Sequence, residues 1–336
     1  MQKVYKALAL TTIMATGVFL SGCGTTKPAT PTNTPNQSNV ASTANVAYAG
    51  SLQLVNEKYL APAFEKATGL KYQGRGGGAF GIAHLISTSE ITPNVFESLG
   101  TAPIQELSPK FTNWAVGFAS SPLVIAYSPK SPYASQLDAI AKGQEPLKQL
   151  FDIMQKPGFH LGRTNPNTDP QGQVFVMMMH LAEQQLHLPA GTANAILGSQ
   201  DNSKQIFAEE SILSQLEAGQ LDASSAYLPE AIQRHLSYIS LPDSMNFGNP
   251  KDNDIYASQK LTLKGGKTAT GSTMEVYATT IKGSKDINAG EQFINYTLSP
   301  AGQTILKQEG LQITPFQIWG NQQDIPKAIL KVIQGK

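Results

Sequence analysis

Val46 to Ala67 reads VAYAGSLQLVNEKYLAPAFEKA, and the turn in its middle decides the fold. Val46-Ala47-Tyr48-Ala49 is short and apolar, as a buried strand is, and Gly50-Ser51 ends it. From Ser51 the apolar residues fall near helical spacing, at Leu52, Val55, Tyr59, Leu60, Ala63 and Phe64, which predicts a helix to Ala67. Gly69 stops that helix, and Leu70 to Gln73 starts a second strand. Strand, helix, strand is the repeating unit of an α/β fold.

The same alternation runs outward from this unit. Gly74 to Gly81 (GRGGGAFG) reads as a Gly-rich loop ahead of another helical pattern, and Val95-Phe96 follows Pro93 as a buried edge. Leu123 to Tyr127 (LVIAY) is a strongly apolar strand. Gln171 to Leu188 is a helix whose Met177, Met178 and Met179 read as core packing rather than a metal site. Ser211 to Ala218 is a helix stopped by Gly219. Strands are expected at Leu221 to Tyr227, Tyr238 to Leu241 and Glu275 to Ile281, and helices at Ile287 to Leu298 and Pro300 to Glu309.

Ahead of the fold lies a different kind of chain. Lys3 and Lys6 precede an apolar run from Ala7 to Leu20, shorter than the ~20 residues of a membrane span but right for a secretory leader. Leu20-Ser21-Gly22-Cys23 resembles the lipobox of bacterial lipoproteins, and Cys23 is the only cysteine in 336 residues. The resemblance implies cleavage after residue 22, lipidation of Cys23, and a protein held on the extracytoplasmic face of the cell membrane. Residues 23–45 are Thr, Pro, Asn and Ser with almost no bulky apolar side chain, so a disordered tether is expected.

Composition narrows the function. Without Lys3 and Lys6 the chain carries 23 Lys+Arg against 24 Asp+Glu, a balance that speaks against nucleic acid as partner. The 40% hydrophobic content supports a proper core. A lone cysteine forbids an internal disulfide. No GxSxG elbow or HExxH motif occurs, and the five histidines lack metal-ligand spacing. The expectation is therefore a non-enzyme with no metal site and no cofactor.

Four segments carry possible chemistry. Ser51 sits where a strand gives way to a helix, so its hydroxyl either joins the free N–H groups in holding an oxyanion or simply caps its own helix. The Gly-rich loop either cradles an anion with its N–H groups or is a mobile turn. In Arg163 to Gly172 (RTNPNTDPQG), Asp169-Pro170 reads as the cap and first residue of the Met-rich helix, with Asp169 and the Gln171 N–H alternatively at the mouth of a cleft. Tyr227, at the end of a strand, points into such a cleft or into the core.

The order of these segments brings in a family. Ala49-Gly50-Ser51-Leu52, the Gly-rich loop, Pro93 to Phe96, Leu123 to Tyr127, Asn165 to Gly172, Leu216 to Tyr227 and Phe293 to Gly302 resemble the molybdate/tungstate-binding proteins of ABC importers. The likeness is greater to the tungstate branch, with its AGSL near the mature start and NxDPxG in mid-chain. It implies a two-lobed periplasmic-binding-protein fold of type II with the ligand cleft between lobes. Residues 46–118 plus 280–336 would form one lobe and 119–279 the other. Carried over, Ser51, Gly78, Ala79 and Gln171 would donate to the ligand, with Tyr227 in a ligand-binding position. Asp169 would coordinate the metal centre, and Glu209, Glu210 or Glu230 would supply a second carboxylate. A monomer is expected, with an ABC permease and ATPase as partners. The chain also departs from the pattern. Gly78, Ala79 and Phe80 stand where a Ser is usual, Asn94 and Asn165 replace Asp, and Glu97 is an acid where the family rarely has one. The competing readings are the same fold around sulfate, phosphate or a small organic anion, a surface-anchored hydrolase, and an adhesive lipoprotein.

Overall fold

The computed structural model describes residues 42–335, so the leader, Cys23 and most of the tether lie outside the described residues, as does the Glu210 side chain. Among the described residues twelve strands occur: β1 Thr43–Ala49, β2 Lys71–Gly77, β3 Val95–Leu99, β4 Trp114–Ser120, β5 Leu123–Tyr127, β6 Leu161–Gly162, β7 Ala223–Tyr227, β8 Ser237–Ser240, β9 Lys260–Thr262, β10 Thr268–Thr270, β11 Glu275–Thr280 and β12 Gln312–Gly320. Six of them form one sheet in the order β2-β1-β3-β11-β4-β12, and four form another in the order β6-β7-β5-β8. β9 and β10 make a separate hairpin. The chain passes from the first sheet to the second after Ser120 and returns before Glu275, so two crossings join two α/β lobes. No helix among the described residues is long and apolar enough to cross a membrane.

Two expected boundaries shift. β1 begins at Thr43, so the last three residues of the expected tether are strand, paired with Lys71 to Gln73 of β2. β11 belongs to the first sheet, whereas a lobe boundary after residue 279 would assign nearly all of it to the second. β4 and β12 have no counterpart among the expected strands; β4 is buried along its whole length beside β11.

The first lobe's opening unit is less regular than its spacing predicts. Instead of one helix from Ser51 to Ala67, there is a 3₁₀ turn at Gly50–Leu52, a π-helical turn at Val55–Leu60 and an α-helix at Ala61–Thr68. Pro62 explains the widened turn. It has no N–H for the carbonyl four residues back, and the adjacent Ala61 N–H reaches back to the Asn56 carbonyl, a five-residue π bond.

The Gly-rich stretch is also not the loop expected. β2 continues through Gly77, and Ala79 already opens the helix Ala79–Ser87, which leaves only Gly78 between them. The glycines are there because tyrosine rings fill their space. A Cβ at Gly74 would lie 2.9 Å from the Tyr48 and Tyr72 hydroxyls, and one at Gly76 would lie 3.0 Å from the Tyr48 ring. Behind this sheet Phe64 meets Phe293 edge-on at 5.3 Å, and Tyr72 lies at the same distance from Phe293. In the second lobe every residue of β5 and β7 is buried, and Met177 to Met179 pack in the core as expected.

Candidate functional site

β1 ends at Ala49 and delivers Gly50 and Ser51 to the face opposite the second lobe. The Gly50 N–H donates to Glu209 Oε2 at 2.7 Å. Glu209 opens the helix Glu209–Ala218, so this bond runs from lobe to lobe. A side chain at position 50 would collide with it, since a Cβ there would lie 2.9 Å from Glu209 Oε2. Ser51 lies beside the same carboxylate, and its buried hydroxyl makes no hydrogen bond among the described residues. The Gly50 N–H at the end of β1 thus already holds a carboxyl group, while the Ser51 hydroxyl is left unpartnered. Gly78 is a second point of contact, where a Cβ would lie 3.0 Å from the Thr168 carbonyl oxygen. Ala79 is buried behind it as the first residue of its helix.

From the second lobe, the helix Pro170–Gln185 brings Asp169 and Gln171. Asp169 Oδ1 accepts the Gln171 N–H at 2.8 Å, an N-cap placed as its sequence predicts. That bond uses the Gln171 N–H, so the donor expected for a ligand is committed to the helix. The Gln171 side chain works instead within the lobe: its Nε2 donates to Glu230 Oε2 at 3.0 Å and its Oε1 accepts from Ser225 Oγ at 2.8 Å. Glu230 Oε2 also accepts the Tyr227 N–H at 2.8 Å. Of the possible second carboxylates, Glu230 is therefore built into the frame of β7, and Glu209 is the one that meets the first lobe.

Tyr227 ends β7 fully buried, and its hydroxyl has no hydrogen-bond partner among the described residues. An orphaned buried hydroxyl costs roughly 1–3 kcal/mol. Its surroundings are acidic. Burial pushes the Tyr227 hydroxyl well above its ordinary pKa, and Asp169, Glu209 and Glu230 add to the effect. Glu209 is raised well above the usual carboxylate range by burial, then by Asp169 and Glu230, with Ser51 opposing. Glu230 is raised to about 7, chiefly by burial, against the Tyr227 N–H and Arg234.

The lobes are closed on this point. Among Gly50, Ser51, Glu209, Glu230 and Arg234 only about 10 Å³ is open. A larger space of about 460 Å³ lies beside it, between Phe80, Leu99, Pro170, Met177 and Lys267. Lys267, from the β9–β10 hairpin, crosses there to Glu106 at 2.7 Å and lies 5.6 Å from the centre of the Phe80 ring. Neither the hairpin's crossing nor the roles of Ser225 and Glu230 was read from the sequence.

Fold and site define a two-lobed binding protein that encloses an acceptor-rich centre from both sides. The chain belongs to the family of bacterial extracellular solute-binding proteins, whose profile matches residues 44–312. It is 28% identical over 309 residues to an uncharacterized solute-binding protein of Methanococcus aeolicus, covering 83% of this chain and 86% of that one. It is 27% identical over 359 aligned positions to the molybdate/tungstate-binding protein WtpA of Thermococcus kodakarensis, covering 99% and 98%. Among solved structures it is similar in fold to the periplasmic molybdate-binding protein of Azotobacter vinelandii, with a TM-score of 0.55 at 18% identity over 80% of this chain and 98% of that one.

Proposed function

We propose that this protein is the capture component of an ABC importer and takes tungstate or molybdate into the closed cleft. The observation that carries the reading is the buried, unpartnered Tyr227 hydroxyl among Asp169, Glu209 and Glu230, opposite the Gly50 and Ser51 donors. N–H and O–H groups suit the oxygens of an oxyanion. Carboxylates repel an anion that can only accept, which selects against sulfate. A tungsten or molybdenum centre, unlike sulfur, accepts further oxygen ligands, so Asp169 and Glu209 become assets. Cys23 would carry the lipid that anchors the protein outside the membrane, and a permease would receive the cargo.

Calorimetric titration of residues 23–336 with tungstate, molybdate, sulfate and phosphate tests the reading. Tight binding of the first two and weak or no binding of sulfate is the expected outcome; binding of phosphate alone, through a proton shared with Glu209, would replace it. For the anchor, Cys23→Ser is expected to move the protein from the membrane fraction to the soluble one with its affinity unchanged. Retention in washed membranes would refute lipidation at that residue.

A further inference from the structure

Asp169 and Glu209 stand at the N-terminal ends of two different helices, each reached through its own loop. One fully buried side chain touches both loops, and it is a cation. Arg163 follows β6 and opens the stretch that leads to Asp169. Its Nε donates to Gln205 Oε1 at 3.1 Å, and its Nη2 donates to the carbonyls of Ser199 and Gln200 at 3.1 and 3.0 Å. The backbone adds two bonds, Arg163 N to the Gln205 carbonyl at 2.7 Å and Phe207 N to the Arg163 carbonyl at 3.0 Å. Glu209 lies two residues beyond Phe207.

The other side is fixed as firmly. The Gln173 side chain donates to the Pro166 carbonyl at 2.9 Å. Gly172 packs so close that a Cβ would lie 2.6 Å from the Thr164 carbonyl oxygen. Outside the core, Asn167 Nδ2 donates to Asp201 Oδ1 at 2.9 Å, a second link between the same two loops.

We propose that Arg163 is a positioning residue for Asp169 and Glu209. By tying one carboxylate's loop to the other's, it sets the separation at which the pair grips an electropositive centre. The proposal rests on the tungstate or molybdate reading above. A lysine would keep the charge but lose the planar fork that serves Gln205 and two carbonyls at once.

The test compares the parent with Arg163→Lys and with Gln205→Ala, which removes the Nε partner and leaves Arg163 in place. Each is titrated with tungstate below its melting temperature, and the tungsten L3-edge absorption of the complex is recorded. If each carboxylate adds one oxygen to the four oxo oxygens, tungsten in the parent is expected to be six-coordinate. Arg163→Lys is expected to bind about tenfold more weakly or worse, and Gln205→Ala roughly threefold more weakly. Both spectra should shift toward four-coordinate tungsten. Folded variants with the parent's affinity and spectrum would overturn the proposal, even if they melt lower. If Arg163→Lys fails to fold, Gln205→Ala decides alone. A parent that binds tungstate four-coordinate overturns the positioning role but not the transport reading; a parent that binds no oxyanion overturns both.

Discussion

At the scale of single residues, the Tyr227 hydroxyl separates binding from stability. It is buried without a partner, so the protein without cargo bears its desolvation cost. Tyr227→Phe is therefore expected to melt no lower than the parent, and to lose ~1.5–3 kcal/mol of oxyanion binding, roughly ten- to a hundredfold. Thermal unfolding and titration of the same sample check both signs. Asp169→Asn makes a complementary pair with it. Asn caps a helix as well as Asp does, so stability should hold while affinity falls. A second buried acid, Glu97, stands apart from the site. It accepts from Asn56 Nδ2 at 2.6 Å, and burial lifts its pKa from 4.5 to about 7. The folded state thus holds this proton more tightly than the unfolded chain. Stability falls as pH rises from about 4.5 to about 7 and is level above that. Glu97→Gln keeps the acceptor and removes the charge. It should match the parent near ~pH 4 and exceed it near ~pH 8 by on the order of 3 kcal/mol, as chemical denaturation would measure.

At the scale of elements, what the sequence predicts well is what period and punctuation decide. β5 and the helix Ile287–Leu298 fall where their apolar runs end. The Asp169 cap is legible because Asp-Pro ahead of an apolar run has few other uses. The Gly-rich stretch misleads because glycine looks like a loop, while Tyr48 and Tyr72 make it a strand whose side chains have no room. Gln171 misleads because the N–H in question goes to Asp169, a choice made by cap geometry. Glu209 cannot be told from Glu230 by type or spacing; only the packing of the two lobes decides which one meets Gly50. The same packing makes Gly78 testable. Gly78→Ala places a methyl group 3.0 Å from the Thr168 oxygen, so one loop or the other must give by a few tenths of an ångström. Oxyanion affinity should fall severalfold with little change in melting temperature, since the clash exists only when the lobes are closed.

At the scale of the molecule, contacts away from the site also join the lobes, among them Gln233 Nε2, which donates to the Glu309 carbonyl at 2.9 Å. The Lys267–Glu106 pair crosses from the β9–β10 hairpin to the first lobe, and both side chains are partly exposed. Such pairs contribute ~0–1 kcal/mol and weaken with salt. Lys267→Ala is therefore expected to speed oxyanion release by no more than about fivefold, and the difference from the parent should vanish at high ionic strength. Stopped-flow release at two salt concentrations measures this.

The crowding around Tyr48 reaches further than packing. Gly50, Gly74, Gly76 and Gly78 each lack a side chain because another atom already stands about 3 Å from where it would begin. On the proposed function, the first lobe would therefore meet cargo with peptide groups and a single serine. Peptide groups are the same in every protein and cannot be swapped by mutation. The second lobe would meet it with Asp169, Glu209 and Tyr227, side chains that mutation can exchange. In a library selected for a new cargo, the successful substitutions should accumulate almost entirely in the second lobe. The first would serve as an unchanging anvil, inherited intact by every descendant whatever it has come to carry.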